Sequence, residues 1–251
     1  MPTVYANSGD GRISSTSDSF YLRARIGNLD GSTTAITGES SSDTIIGWQD
    51  PASKSDPKYT LYRSYYYFDF SSVSGTVASA TLSIYGKSHS HVDCRLVKST
   101  AFGGNGGSAL AASDWSAITG YVSNATMSGN VTNYSNEITT WSTSGYNTFT
   151  LNASALNDLN NDSRLIVCLV DSDWDYNLYG TVLDGSTTVL HGDERNGGYF
   201  SEYSGTSRDP KIDYVLAGAN YGNNVNGVAS ANIGKVNSVA TANINKIISV
   251  S

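Results

Sequence analysis

Tyr62-Arg63-Ser64-Tyr65-Tyr66-Tyr67-Phe68-Asp69-Phe70 alternates: its even positions suit a core, and its odd positions carry Arg63 and Asp69 outward. A period of two predicts a strand. After the turn-like Ser71-Ser72-Val73-Ser74-Gly75, the run Val77-Ala78-Ser79-Ala80-Thr81-Leu82-Ser83-Ile84-Tyr85 alternates again, with Ala80, Leu82 and Ile84 on one side. The two read as sequential strands. Working outward, strands are expected at Tyr146 to Asn152, Arg164 to Val170, Thr181 to Leu183 and Lys211 to Leu216. Leu165-Ile166-Val167-Cys168-Leu169-Val170 is apolar on both faces and predicts a central strand covered on both sides. Only Ala153-Ser154-Ala155-Leu156-Asn157-Asp158-Leu159 reads as a helix, capped by Asn152 or Ser154. Gly103 to Gly107 and Asp184-Gly185-Ser186 read as loops.

Composition agrees with this pattern. Seventeen Tyr and 25 Gly against 2 Met, with Ser, Thr and Asn throughout, favour strands and turns over helices. Many short strands with long loops predict an all-β fold, a jelly-roll-like β-sandwich. We place the sandwich at 1–217, a linker at 218–224 and a separate tail at 225–251.

The tail repeats itself. Val225-Asn226-Gly227-Val228-Ala229-Ser230-Ala231-Asn232-Ile233-Gly234-Lys235 is followed by Val236-Asn237-Ser238-Val239-Ala240-Thr241-Ala242-Asn243-Ile244-Asn245-Lys246, and a third copy begins at Ile247. A unit too short to bury its own apolar face must bury it against copies or a partner. Val225, Val228, Ile233, Val236, Val239, Ile244 and Ile247 are the candidate assembly residues. An eleven-residue period suits a nearly straight helical bundle, but Val, Asn, Gly and Ser are weak helix formers and Asn226-Gly227 signals a turn. The extended form is slightly favoured, and both remain open.

Charge narrows the partners. The chain carries −7, and because two of its 15 basic residues lie in the tail, the body holds 13 basic against 22 acidic residues, a net of −9. This argues against nucleic acid, which selects a basic face. No run suits a bilayer, and Met1-Pro2-Thr3-Val4-Tyr5 lacks the pattern of a secretory signal, which predicts synthesis in a cytoplasm. Cys94 and Cys168 read as two reduced core residues, with one disulfide between neighbouring strands as the alternative.

Several patterns carry candidate chemistry. Asp171-Ser172-Asp173-Trp174-Asp175-Tyr176-Asn177 sets carboxylates at alternate positions, as calcium loops do. Tyr176 stands where an EF-hand needs glycine and Val182 where it needs the bidentate acid, so a solvated loop is preferred. A looser structural calcium site at Asp171, Asp173 and Asp175 is the alternative. His89-Ser90-His91-Val92-Asp93 and His191-Gly192-Asp193 hold ligands suited to transition metals, yet an exposed polar face explains them. Sugars stack on aromatic rings; Trp174, Tyr176, Trp115 and Trp48 are the candidate glycan contacts, and Trp174, flanked by acids, is expected to be exposed. Packing under loops is the plainer reading of any single Trp. No nucleophile elbow, zinc-protease motif or distinct acid and base pair is present, so no reaction is assigned.

Tyr67-Phe68-Asp69-Phe70-Ser71-Ser72, Val77 to Tyr85 and the closing Pro210-Lys211-Ile212-Asp213-Tyr214-Val215 together resemble the DNRLRE-type jelly-roll domains, which are related to carbohydrate-binding modules. The resemblance spans roughly residues 1 to 216 and rests mostly on core alternation, so fold transfers more safely than function. The tail resembles the "KVNGVAxANI" repeats that end many phage and marine-virus structural proteins. Together they imply a non-enzymatic virion protein of the tail, fibre or capsid surface, without a required cofactor. Its repeats would anchor it to other virion proteins or to copies of itself, and its sandwich would be displayed toward host glycans. A secreted carbohydrate-binding protein and a polysaccharide-cleaving enzyme are the rival readings.

Overall fold

Residues 62–69 fall within one long strand that changes partner along one edge, and the rest of the fold is organised around it. The computed structural model describes residues 1–17, 24–25, 32–50, 59–123, 125–178, 192–217, 235–236 and 239–240. The strands are β1 (Thr3–Tyr5), β2 (Gly11–Ser17), β3 (Thr33–Thr37), β4 (Ser41–Asp50), β5 (Tyr59–Asp69), β6 (Val77–Ser90), β7 (Cys94–Lys98), β8 (Tyr146–Thr150), β9 (Arg164–Asp171), β10 (Gly192–Tyr199) and β11 (Lys211–Leu216). Helix α1 (Ala153–Asp162) precedes β9. The expected strand at Thr181 to Leu183 and the loop at Asp184 to Ser186 lie outside the described residues.

All strand pairs are antiparallel, in the order β1-β11-β6-β10-β4-β5-β2-β3, with β8 also on β6, β9 on β5 and β7 on β9. One edge of β5 pairs with β2 from Tyr59 to Tyr65. Its other edge passes from β4, at Thr60 to Tyr62, to β9, at Ser64 to Asp69. Likewise β6 pairs with β11 and β8 through its first half and with β10 at Gly86 and Ser90. Strands that change partner along their length curl the sheet into a jelly-roll-like, all-β sandwich.

Alternation decides what each face buries. Tyr66, Phe68 and Phe70 meet Leu82, Ile84, Phe149, Leu165, Val167, Leu169 and Ile212 in the sandwich core. The opposite face of β5 and β9 is covered too. Tyr65, Ile166, Cys168 and Val170 pack beneath a loop layer that supplies Phe102, Trp115, Ile118, Met127 and Val131. β9 is therefore enclosed on both sides, as its continuous apolar run predicts. Burying each such side chain contributes about 1.5–3 kcal/mol.

The second core overturns one expectation. Arg63 is on the odd face of β5, but the loop layer covers that face and leaves Arg63 fully buried. Asp69 is half-buried and accepts a hydrogen bond from the Ser71 amide. Trp48, a candidate glycan contact, lies within β4 and is buried. α1 begins as expected, with the Asn152 side chain accepting from the Ala155 amide.

Cys94 and Cys168 are free and buried on neighbouring strands. Their register pairs Val97, not Cys94, with Cys168. Burial raises the Cys168 thiol to about 12 and moves Cys94 upward as well, so both are inert thiols. Among the described residues no helix is long and apolar enough to cross a membrane. In the repeat region β12 (Lys235–Val236) pairs antiparallel with β13 (Val239–Ala240), with Val236 opposite Val239. Val225, Val228, Ile233, Ile244 and Ile247 lie outside the described residues.

Candidate functional site

The acidic segment after β9 forms a single turn of π-helix, Ser172–Tyr176, and its three carboxylates go three ways. Asp171 caps the turn by accepting from the Asp173 and Trp174 amides at 2.9 Å each. Asp175 is enclosed between two guanidiniums: Arg63 contacts both of its oxygens at 2.7 and 2.8 Å, and Arg25 reaches one at 3.0 Å. Asp173 lies near Glu137, and the cation it senses is Arg95, which bonds Glu137 at 2.9 Å and the Ser172 hydroxyl at 3.1 Å.

The segment is not the solvated loop expected, since Asp171 and Asp175 are buried, and this geometry gives the calcium alternative at Asp171, Asp173 and Asp175 no support. Arginines supply the positive charge, and the carboxylates do not converge. Among the described residues no group of three or more metal-ligating side chains comes together. Burial pushes the Asp171 carboxyl up despite its two amide donors. Burial also acts to raise Asp175, but Arg63 and Arg25 outweigh it and hold that carboxyl below its ordinary range. Asp175, Arg63 and Arg25 thus form a buried ion network. Trp115 and Tyr121 close it, with the Arg63 guanidinium 4.0 and 4.6 Å from their ring centres.

The four aromatic residues nominated as glycan contacts do not form a platform. Trp48 and Trp115 are each 3 % exposed and Tyr176 is 4 % exposed, so none offers a ring to a sugar. Trp115 donates from its indole to the Arg25 carbonyl, and Tyr176 lies under Arg95 while its hydroxyl accepts from Asn133. Trp174, expected to be exposed, is half-buried. It meets Trp48 edge-on at 5.7 Å and donates to Glu194. Acids flanking a tryptophan in sequence do not force its ring into solvent, because the indole N–H takes one of the nearby carboxylates as partner. His89 and His91 have ring centres 6.1 Å apart, and β6 ends between them at Ser90. His191 lies outside the described residues.

A different set of aromatics gathers on the outer face of β6, β8 and β10. Tyr85 and Tyr146 are register partners whose rings meet edge to face at 5.1 Å. Tyr199 continues the chain at 5.6 Å from Tyr85, and Tyr203 follows at 5.0 Å from Tyr199. All four are half-buried. Arg208 lies over Tyr85, Tyr199 and Tyr203, and the Lys211 ammonium is 4.9 Å from the Tyr146 ring centre. Beside Tyr146 opens a cleft of about 490 Å³ lined by Ile138, Thr140, Trp141, Ser142, Asn147 and Thr148.

Hydrogen bonds hold this face in place. Tyr85 donates to the Ser144 carbonyl at 2.6 Å, and Tyr146 bonds the carbonyls of Ser207 and Asp209 at 3.1 and 3.2 Å. The loops on either side are thereby tied to the sheet, and the rings are set before any ligand arrives. Tyr85 was identifiable as the outward residue of the strand carrying Leu82 and Ile84. Its grouping with Tyr199 and Tyr203 depends on β10 pairing with β6, which local periodicity does not encode. Neither a family model nor a curated protein matches the chain.

Proposed function

We propose that the protein is a non-enzymatic binding and assembly component of a virion surface: its β-sandwich is displayed and binds host-surface carbohydrate, and its C-terminal repeats hold it in a larger assembly. The observation that carries the binding reading is the preformed face of Tyr85, Tyr146, Tyr199 and Tyr203 beside an open cleft. Tyrosine presents an apolar ring to the C–H face of a sugar and a hydroxyl to its polar rim, at small cost in rotamer freedom. The cleft falls within the roughly 300–1,000 Å³ typical of small-ligand sites. The assembly reading rests on the eleven-residue repeat and its resemblance to phage structural proteins.

A panel of neutral and charged polysaccharides screened against the full chain tests the binding reading. Binding is expected. Replacing Tyr85 and Tyr199 together by alanine should weaken it at least about tenfold, as loss of aromatic anchors does at other interfaces. The melting transition should persist, because both rings are half-buried on the outer face and belong to neither core. Failure of the whole panel to bind, with the chain folded, would overturn this reading. Turnover of a polysaccharide that single Asp substitutions abolish would replace it with the enzyme alternative.

A further inference from the structure

Arg208 is set apart by what surrounds it. Among the described arginines Arg12, Arg25, Arg63, Arg95 and Arg195 each pair with an acidic side chain, and Arg164 and Arg208 do not. Arg208 instead lies 5.2, 4.7 and 5.1 Å from the ring centres of Tyr85, Tyr199 and Tyr203, and donates through one nitrogen to the Tyr199 hydroxyl. No carboxylate of the described residues forms an ion pair with it. Its chain neighbour Asp209 is buried at 6 % exposure, where desolvation and then nearby Glu202 push its carboxyl upward. Lys211, the second cation on this face, is already paired with Asp213 at 3.0 Å.

A guanidinium presents five N–H donors in a planar fork matched to a carboxylate, and this one spends a single donor inside the protein. Three tyrosines restrain its plane, so little side-chain freedom remains to be lost on binding. The chain as a whole carries −7, so long-range attraction does not recruit an anion here. Recognition has to come from contact. A uronic acid fits that requirement, because its carboxylate projects from the rim of a ring whose C–H face can lie on a neighbouring tyrosine.

We propose that Arg208 and the tyrosine face select a carboxylated polysaccharide, one bearing a uronic acid carboxylate on its sugars. This rests on the carbohydrate-binding reading of the same face and names its ligand class. The test titrates the full chain with oligomers of galacturonate, mannuronate and glucuronate, and with the same oligomers after methyl esterification, which removes the charge and keeps the rings. The acid form of at least one oligomer should bind about 10- to 100-fold more tightly than its ester, the span of a charge-assisted bidentate contact. Arg208→Met should reduce that preference to near one, and Arg208→Lys, which keeps the charge without the fork, should retain only part of it. If Arg208→Met does not fold, the wild-type preference and the Arg208→Lys variant still decide. Equal binding of acid and ester overturns the selectivity while leaving the carbohydrate reading intact. Failure of every acid oligomer overturns the selectivity, and failure of the neutral panel as well overturns the reading beneath it.

Discussion

Asp175→Asn is expected to destabilise the protein by about 3–5 kcal/mol, the usual effect of breaking one side of a buried ion pair. The substitution keeps the shape of the side chain and removes its charge, leaving Arg63 and Arg25, both fully buried, without a counter-ion. Equilibrium urea unfolding of the two forms measures it. A loss below about 1 kcal/mol, the scale of an exposed pair, would contradict the enclosed network described above. Replacing Asp175, Arg63 and Arg25 together by apolar residues of similar volume should recover much of the loss, because no charge is then stranded.

The same residue sets a pH dependence. Its carboxyl is held below the ordinary aspartate range, so on acidification the unfolded chain takes up this proton before the folded one does. Stability from this group is thus complete above the ordinary aspartate pKa and is lost as pH falls through the lowered folded value. Asp175→Asn should therefore flatten the acid limb of the stability profile relative to the parent protein. An unchanged acid limb would show that the carboxylate is not paired.

Gly47→Ala is the second large effect expected. Gly47 sits in β4 at φ +105°, a left-handed conformation that L side chains rarely adopt, and is flanked by Arg195 of β10 and Tyr62 of β5. A Cβ there would lie 2.0 Å from the Glu194 carbonyl oxygen and 2.7 Å from the Arg195 Cα, both backbone atoms of the adjacent strand. Neither can yield as a flexible side chain would. Strained φ and overpacking each cost about 1–3 kcal/mol, so a loss of roughly 2–6 kcal/mol is expected in the same unfolding assay. Gly38→Ala is the control. That glycine also has a positive φ, but nothing lies within 4 Å of its added Cβ, so its loss should be clearly smaller. Equal losses would mean that strand crowding at Gly47 contributes nothing.

β5, β6, β8, β9 and β11 were legible because each carries its own signal, whereas β1, β2, β3, β4, β7 and β10, shorter in apolar pattern and richer in Ser, Thr and Gly, were not read as strands. β5, β6 and β9 announce themselves by alternation or by a continuous apolar run, and the periodicity that places Phe68 and Leu82 inside is local. Arg63 was misread for the same reason: a charge at an alternate strand position looks solvated until a partner is known, and Asp175 is 112 residues away. The loop layer that buries them has no periodicity to read. Side chains bonded to distant backbone groups hold it, as Arg63 and Tyr65 do with the Trp115 carbonyl at 2.7 and 2.9 Å. Trp115 and Tyr176 thereby became core residues instead of ligand contacts. The tyrosine face was half legible, since alternation places Tyr85 outward but only the β6–β10 pairing adds Tyr199 and Tyr203.

The division of the chain into a displayed body and a holding tail is tested most directly by light scattering on the full chain and on a truncation after Ala217. The body closes its own two cores within residues 1–217, whereas a repeat rich in Val and Ile with little charge requires a partner surface. The full-length protein should be oligomeric and the truncation a folded monomer. Two monomers with the same melting temperature would contradict this division.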